Sequence, residues 1–235
     1  MCTATYLKDK KGRVIFTTNR DENVSRPTSP PAIHNIEGQR LLFPQDQLAG
    51  GTWVAIAETG QISCVLNGAP DEVSWLGTTA KYSRGQVLLD SFKRENIQQF
   101  YQDDSIMNAH PFTLLIIPKN ADKISIVRWN GKEKWIDEAD ANQPEIWSAH
   151  TLYPKDQRER RARIFHDWSN ELHERTPNAV WQMHQSSENQ NGLLLENSQH
   201  VNTVSTTQIV LGQSHCTMSY FQMDEDLKTV EAMSI

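Results

Sequence analysis

Strand-like segments occur in consecutive pairs along this chain, and this order most restricts the folds that it can adopt. Paired β-rich runs fill much of the first 70 residues, return between 112 and 151, and close the chain between 205 and 223. Amphipathic stretches at 84–101 and 154–174 predict helices, because their apolar residues recur at helical spacing. Consecutive strands form hairpins, so the order favours two mainly antiparallel sheets covered by helices over a parallel βαβ array. We therefore expect an α+β fold.

The first hairpin fixes the neighbours of the chain start. Its strands are expected at Cys2–Leu7 and Val14–Asn19, with a polar turn at Asp9–Gly12 between them. Residues near position 20 are thereby carried back towards Cys2. The Pro-rich stretch Arg26–Pro44 is predicted to be irregular. The remaining elements are predicted as a short helix at 178–184 and strands at 53–57, 62–66, 112–117, 124–129, 135–136, 146–151, 205–211 and 217–223.

Size and charge predict one domain over residues 1–235 without a nucleic-acid partner. The net charge is -6, and no basic patch is larger than Arg158–Arg163, whose arginines are expected on an exposed helix face. No apolar run approaches the roughly 20 residues of a membrane span, and no signal-peptide region begins the chain. We therefore expect a cytoplasmic protein.

The cysteines and histidines give no sign of a metal site. Cys2, Cys64 and Cys216 lack the spacing of metal ligands or of a disulfide framework. Cys64 and Cys216 lie in strand-like runs and are expected to pack in the core. The histidines are scattered without a ligand motif, and no Gly-rich phosphate loop is present. The sequence predicts neither a metal nor a cofactor.

Cys2 follows the initiator methionine directly. A side chain this small normally allows removal of Met1, after which Cys2 carries both a thiol and a free α-amine. An α-amine titrates near roughly pH 7.7–8.0 and can accept the thiol proton. The pair is therefore a self-contained nucleophile and base. A cysteine at position 2 is incidental on most chains, so its neighbours decide the interpretation.

Arg20 and Asp21 are expected beside Cys2, where the second strand ends. A guanidinium near a thiol lowers the pKa of that thiol. A carboxylate near the α-amine orients it and stabilises its protonated form. The alternative interpretation is an exposed charge cluster at a strand end.

Two further segments can contribute to a site. Gly50-Gly51 precedes Thr52-Trp53 and permits close backbone approach, as either a simple turn or a ligand cradle. Asn67 follows a predicted strand, where its amide can donate to an oxyanion during acyl transfer. The Asn67-Gly68 pair is also an ordinary turn dipeptide.

These motifs occur together in an order that resembles a known family. The chain is similar to the NRDE family, also called the transport and Golgi organisation protein 2 family, most specifically over residues 1–70. A weaker resemblance extends through Trp147-Ser148 and Thr203–Ile209. The fold implied is that of the N-terminal-nucleophile (Ntn) hydrolases, a four-layer αββα sandwich. The motifs that carry the resemblance are Met1-Cys2-Thr3, Asn19-Arg20-Asp21-Glu22, Ser25-Arg26-Pro27, Gly50-Gly51-Thr52-Trp53 and Asn67.

The resemblance also implies roles for these residues. In related cysteine amidohydrolases, such as penicillin V and bile-salt acylases, an N-terminal cysteine attacks an amide. Carried over by position, Cys2 is the nucleophile and base, Arg20 and Asp21 support it, and Asn67 donates to the oxyanion. Residues expected to contact substrate are Asn19, Gly51, Thr52, Trp53 and Ser148.

The chain departs from the acylase pattern in two ways. Arg20 and Asp21 are adjacent, so they point to opposite faces of a continuous strand. Ser148-Ala149-His150 and Val204-Ser205-Thr206 stand where the acylases have their later Asn and Arg.

Two functions follow as alternatives. The leading hypothesis is a cysteine Ntn hydrolase that cleaves a small linear amide, with Cys2, Arg20 or Asp21, and Asn67 lining one cleft. The alternative is a non-catalytic carrier that binds haem or a lipid in that cleft. For haem, the axial candidates are Cys2, His34 and His150, although no CxxCH or Cys-Pro signature is present.

Overall fold

The computed structural model describes residues 2–71, 82–94, 96–172, 174–187, 191–196 and 201–235. Backbone contacts divide the chain into two compact units, each built on one sheet. The strands are β1 (Cys2–Lys8), β2 (Val14–Glu22), β3 (Thr28–Ile36), β4 (Gln39–Asp46), β5 (Val54–Ala57), β6 (Ile62–Asn67), β7 (Phe112–Ile117), β8 (Lys123–Trp129), β9 (Lys134–Asp140), β10 (Glu145–Ser148), β11 (Asn202–Leu211), β12 (His215–Gln222) and β13 (Leu227–Ser234). The helices are α1 (Arg84–Asp90), α2 (Ile97–Gln102), α3 (Lys155–Glu171) and α4 (Pro177–Gln185), and a 3-10 turn covers Asp104–Asn108.

The first unit contains residues up to Arg26, Ala141–Ser148 and Tyr153–Ile235. Its six-stranded sheet has the order β10-β1-β2-β11-β12-β13, and neighbouring strands pair antiparallel. Helices α3 and α4 pack on this sheet through an apolar cluster that includes Leu7, Ile15 and Phe165. The hairpin that begins with Cys2 therefore lies in the middle of the sheet rather than at its edge.

The turn at Asp9 sets the register of this hairpin. The Asp9 carboxylate accepts hydrogen bonds from the backbone nitrogens of Lys11 and Arg13, at 2.8 and 2.9 Å, and Gly12 adopts a positive φ of 75°. A side chain that satisfies its own turn in this way holds the two strands in one alignment. Cys2 is consequently opposite Arg20.

Helix α3 buries an arginine, which corrects the prediction that the arginines of 158–163 share an exposed face. Arg161, Phe165 and Ser169 are the buried residues of this helix, at a spacing of four. Arg160 and Arg163 are exposed, as expected. An arginine is tolerated on the buried stripe because the sheet below supplies it with polar partners.

The second unit, Pro27–Asp140 with Ala149–Leu152, contains a seven-stranded sheet in sequential order from β3 to β9. All its neighbouring strands pair antiparallel. Helix α1 packs on β6 through an apolar core that includes Val87, Leu88 and Val65. The predicted core positions of Cys64 in this unit and Cys216 in the first are confirmed, since both are 0 % exposed.

Two predicted elements are wrong in detail, and one strand was not predicted. The stretch Arg26–Pro44 is not irregular, because it forms β3 and much of β4. Its prolines at 30 and 31 are accommodated since β3 is an edge strand whose pairing shifts register between Ser29 and Ala32. The helix predicted at 84–101 is two short helices, and the final strand β13 was missed.

The predicted fold class is confirmed: the protein is α+β, with two antiparallel sheets. The assignment of residues 1–235 to one domain stays a prediction. Among the described residues, no helix is both long and apolar enough to cross a membrane.

The glycine pair before β5 is explained by the packing of the second unit. Gly50 adopts a φ of 68°, and Gly51 lies against the backbone of α1. A Cβ on Gly51 would lie 2.8 Å from the carbonyl carbon of Gly85, and a Cβ on Gly85 would lie 2.8 Å from the Thr52 nitrogen. The close backbone approach that this pair permits is made by the protein's own chain.

We expect Gly51→Ala to destabilise the protein by about 1–3 kcal/mol, because the added methyl overlaps backbone that cannot rotate away. Urea unfolding followed by circular dichroism would measure this loss. Gly212→Ala is the matched control, since its Cβ would meet the His215 oxygen at an ordinary 3.4 Å. Equal stability losses in the two variants would contradict the packing argument.

Candidate active site

Cys2 begins β1 and shares one face of the first sheet with Arg20 and Ser205. Directly opposed residues of antiparallel strands point to the same face, and the register pairs Cys2 with Arg20 on β2 and Arg20 with Ser205 on β11. All three side chains are buried, at 1–3 % exposure. The predicted neighbourhood of Cys2 and Arg20 is therefore present.

The Cys2 thiol is not activated by its surroundings in this chain. Burial raises the pKa of the Cys2 thiol above its ordinary value, the Asp21 charge raises it further, and the Arg20 guanidinium lowers that pKa by less. The predicted direction of the Arg20 effect is right, but desolvation is larger. With Met1 attached, the Cys2 nitrogen is an amide and cannot accept a proton.

Asp21 points to the opposite face of the sheet from the Cys2 thiol, because successive residues of a strand alternate. Its carboxylate accepts hydrogen bonds from the Tyr153 hydroxyl at 2.8 Å and from the Thr203 hydroxyl at 2.7 Å. Asp21 follows Arg20 along β2, so it lies beyond the first residue of β1, on the side of the Cys2 backbone nitrogen. That position suits contact with an α-amine rather than with the thiol.

Arg161 supplies the positive charge that faces Asp21. Burial raises the pKa of the Asp21 carboxyl, while the Arg161 guanidinium and the two hydroxyl donors oppose that rise. Arg161 is 1 % exposed, and its Nη2 donates to the Thr3 hydroxyl at 2.9 Å and to the Leu193 carbonyl at 2.8 Å. The guanidinium also stacks on the Tyr153 ring at 4.3 Å. Sequence reasoning missed this residue.

Asn19 and His184 complete a polar network on the Asp21 face. The Asn19 amide nitrogen donates to the carbonyls of His184 and Leu193, at 3.0 and 3.1 Å. Its oxygen accepts from the Thr206 hydroxyl at 2.9 Å and lies 3.0 Å from His184 Nδ1. The other ring nitrogen, Nε2, lies 2.8 Å from the Thr5 hydroxyl. Asn19 thus uses its full hydrogen-bonding capacity inside the protein, which leaves none for a substrate.

His184 is a neutral imidazole in this network. Burial lowers the pKa of His184 to about 3, with a further contribution from the Arg161 charge. A neutral ring that donates from Nδ1 to Asn19 and accepts at Nε2 from Thr5 satisfies all three groups. No sequence motif surrounds this histidine, which is uncharged and structural.

The other predicted site residues belong to different parts of the fold. Ser148 pairs with Thr3 and so lies on the Asp21 face. Asn67 ends β6 in the second unit, and its carbonyl accepts from the His150 nitrogen at 2.9 Å. The Thr52 hydroxyl donates to the Pro44 carbonyl at 2.6 Å, and Trp53 is buried. The roles assigned to these residues, and a cleft shared with Cys2, stay predictions.

The residues considered as axial haem ligands belong to different units of the fold. Cys2 lies in the first unit, and His34 and His150 lie in the second. The His34 ring stacks on Phe43, with 4.0 Å between centroids, and burial lowers the pKa of His34. No group of three potential metal ligands occurs in the described part of the chain.

The family model for transport and Golgi organisation 2 matches residues 1–232, which is nearly the whole chain. The chain belongs to this family. The predicted resemblance is thereby confirmed. No curated protein sequence matches the chain significantly.

Solved structures similar to this family member have the Ntn-hydrolase fold. The C2A mutant of the conjugated bile acid hydrolase from Clostridium perfringens aligns with a TM-score of 0.57 and 11% identity, covering 100% of this chain and 96% of that one. Another variant of that hydrolase gives 0.58, at the same identity and coverage. The Caenorhabditis elegans ortholog of N-acylethanolamine-hydrolyzing acid amidase gives 0.54 at 11% identity, covering 89% and 92%. At this identity the likeness shows the fold alone.

The buried, neutral His184 makes the stability of this family member depend on pH. Unfolded histidine titrates near pH 6.5, whereas the folded pKa of His184 is about 3. Its contribution is therefore complete above about pH 6.5 and is lost as the pH falls towards 3, by up to about 1.4 kcal/mol for each pH unit. Urea unfolding between pH 7.5 and 5 should show a shallower pH dependence in His184→Gln. The exposed His215→Gln is the control and should retain the original dependence; an unchanged slope in His184→Gln would refute the assignment.

Proposed function

We propose that this protein is a cysteine Ntn hydrolase that cleaves a small linear amide through Cys2 after Met1 has been removed. The observation that carries the proposal is the register of the first hairpin, which sets Arg20 opposite Cys2, with Asp21 one residue further along β2. The Cys2 thiol and the Arg20 guanidinium thus share one face at the start of β1, and the Asp21 carboxylate lies on the other face. The cytoplasmic location stays a prediction.

The Ntn-hydrolase fold and the names of the structural neighbours support amide chemistry. One neighbour is a conjugated bile acid hydrolase, and another is an ortholog of an acid amidase that hydrolyses N-acylethanolamines. Both names describe hydrolysis, and the acid amidase cleaves an amide. A mature chain that begins with Cys2 would carry the α-amine that an Ntn mechanism uses as its base.

The proposed reaction proceeds through a thioester. The α-amine of Cys2 takes the thiol proton, and Sγ attacks the amide carbonyl carbon. The amine then returns the proton to the departing nitrogen as the C–N bond breaks. Water, deprotonated by the same amine, attacks the thioester and releases the carboxylic acid and the free thiol.

The neighbouring residues stabilise the charged groups that form during the proposed reaction. Arg20 stabilises the thiolate, because its guanidinium lies on the same face of the sheet. Asp21, held by Tyr153 and Thr203, stabilises the ammonium that forms when the amine accepts a proton. We propose Asn67 as the donor to the oxyanion of the tetrahedral intermediate.

Removal of Met1 should increase the reactivity of the Cys2 thiol. The test compares a form released from an N-terminal fusion, so that it starts at Cys2, with a form in which Met1 is retained. The alkylation rate of Cys2 by iodoacetamide at pH 7.5 should be roughly tenfold higher in the first form, because only a free amine can take the thiol proton. Peptide mass mapping assigns the modified cysteine. Equal rates, or complete retention of Met1 in protein from its native source, would remove the catalytic proposal.

Cys2→Ala should abolish amide hydrolysis, whereas Cys64→Ala and Cys216→Ala should retain it. Loss of the nucleophile lowers kcat/KM by roughly a thousandfold or more. All three thiols are buried, so each substitution costs a similar stability of about 1 kcal/mol, and stability does not separate them. Release of fatty acid from a panel of N-acyl amides measures activity. A comparable loss in all three variants would show that Cys2 has no special role.

A further inference from the structure

Two hydroxyl groups on the Cys2 face of the first sheet are buried without a hydrogen-bond partner. Ser205 Oγ and Thr207 Oγ1 both lack a partner in the described structure, although each residue is 1 % exposed. Buried polar groups are nearly always hydrogen-bonded, so an unpartnered pair requires an explanation.

The direction of these hydroxyls follows from their strand neighbours. Thr203 and Thr206 bond to Asp21 and Asn19 on one face of the sheet. The register shift between Thr203 and Ser205 then sets Ser205 opposite Arg20, and alternation directs Thr207 to the same face. Both unpartnered hydroxyls consequently share the face of Arg20 and Cys2.

We propose that Ser205, Thr207 and Arg20 form a subsite for a carboxylate carried by the leaving amine, so that the substrate is an N-acyl α-amino acid. This inference rests on the proposed hydrolysis at Cys2. Hydroxyl groups and a guanidinium all donate hydrogen bonds, and the guanidinium adds positive charge. An anionic oxygen accepts from each of them, and a carboxylate offers two such oxygens.

Strand spacing sets the length of the leaving group. Adjacent strands lie about 4.8 Å apart, so the α-carbons of Cys2 and Ser205, on either side of β2, are separated by about 10 Å. Side chains stand roughly perpendicular to a sheet, so the thiol and the hydroxyl keep about this separation. The attacking sulfur lies about 3.3 Å from the carbonyl carbon, and the hydroxyl lies about 2.7 Å from a carboxylate oxygen. About 4 Å therefore remain between the carbonyl carbon and that carboxylate oxygen. In an N-acyl α-amino acid they are separated by one nitrogen, one α-carbon and the carboxyl carbon, which span this distance. An additional methylene would lengthen the leaving group beyond it.

The test compares three substrates of one acyl chain in the mature protein that starts at Cys2. N-octanoylglycine carries the carboxylate, N-octanoylglycinamide replaces it with a neutral amide, and N-octanoyl-β-alanine moves it one methylene further away. Release of octanoate gives kcat/KM for each. We expect N-octanoylglycine to be preferred over both others by roughly tenfold or more. Equal rates for N-octanoylglycine and N-octanoylglycinamide would overturn the subsite.

Variants that remove each hydroxyl then test whether Ser205 and Thr207 cause this substrate preference. Ser205→Ala and Thr207→Val should each reduce the preference for N-octanoylglycine over N-octanoylglycinamide by roughly fivefold to tenfold. Neither should lower the Tm, because the hydroxyl that is lost has no partner in the described part of the chain. Ser63→Ala is the matched control: Ser63 is a buried serine that accepts a hydrogen bond from Ser91, so its loss should lower the Tm and leave the preference unchanged. A lowered Tm with an unchanged preference in the two hydroxyl variants would show an internal structural role instead.

Binding separates this inference from the proposed reaction. If the mature protein cleaves none of the three substrates, the proposed hydrolysis fails, and calorimetric titration of the Cys2→Ala protein still tests the subsite. The subsite predicts a Kd for N-octanoylglycine at least roughly tenfold lower than that for N-octanoylglycinamide. Equal Kd values in that titration would reject it.

Discussion

The buried guanidinium of Arg161 is the interaction on which the first unit depends. A charge inside a protein is costly unless its hydrogen bonds are satisfied and an opposite charge is near. Here the Thr3 hydroxyl, the Leu193 carbonyl and the Tyr153 ring surround the guanidinium, and Asp21 supplies the opposite charge. These partners come from β1, β2, the segment before α3 and the segment after α4. One side chain therefore ties the start of the central hairpin to the helices that cover it.

The two faces of the first sheet have different chemistry as a result. On the helix-covered face, Asn19, His184 and Asp21 are joined to hydroxyl and carbonyl partners within the unit. On the other face, Cys2 and Arg20 stand beside the Ser205 and Thr207 hydroxyls, which have no such partner among the residues that the structure describes. The first arrangement holds strand positions, and the second contains the two hydroxyls of the proposed subsite. Successive side chains of β2 point to opposite faces, so neighbouring residues of this one strand belong to the two different sets of polar groups.

The hairpin and the pairing of Cys2 with Arg20 could be predicted because both depend on local signals. A polar turn at Asp9–Gly12 between two β-rich runs is sufficient to set that register. The Pro-rich strand β3 was missed because proline excludes a central strand but not an edge strand, and the sequence does not show which strand is at an edge. The pairing order of a sheet is a tertiary property.

The buried polar network could not be predicted for a similar reason. Arg161 stands among exposed arginines on α3, and only its spacing of four from Phe165 distinguishes it. Its partners on β1 and near Leu193 are far away in sequence, so composition favours an exposed position. His184 is likewise defined by Thr5 and Asn19, more than 160 residues earlier. The direction of the net shift in the pKa of the Cys2 thiol could not be predicted either, because the effect of burial outweighs that of the neighbouring cation.

The prolines of β3 have a consequence for association between molecules. An edge strand offers a row of amide hydrogens to which a strand from another chain can pair. Pro30 and Pro31 interrupt that row, since neither has an amide hydrogen, and the register shift displaces the backbone at the same point. A second copy that continued the seven-stranded sheet would therefore lack a hydrogen bond at this point and would meet a displaced backbone. The two prolines that caused β3 to be missed in the sequence thus also disfavour the addition of strands at its edge, which is the step by which fibrils grow.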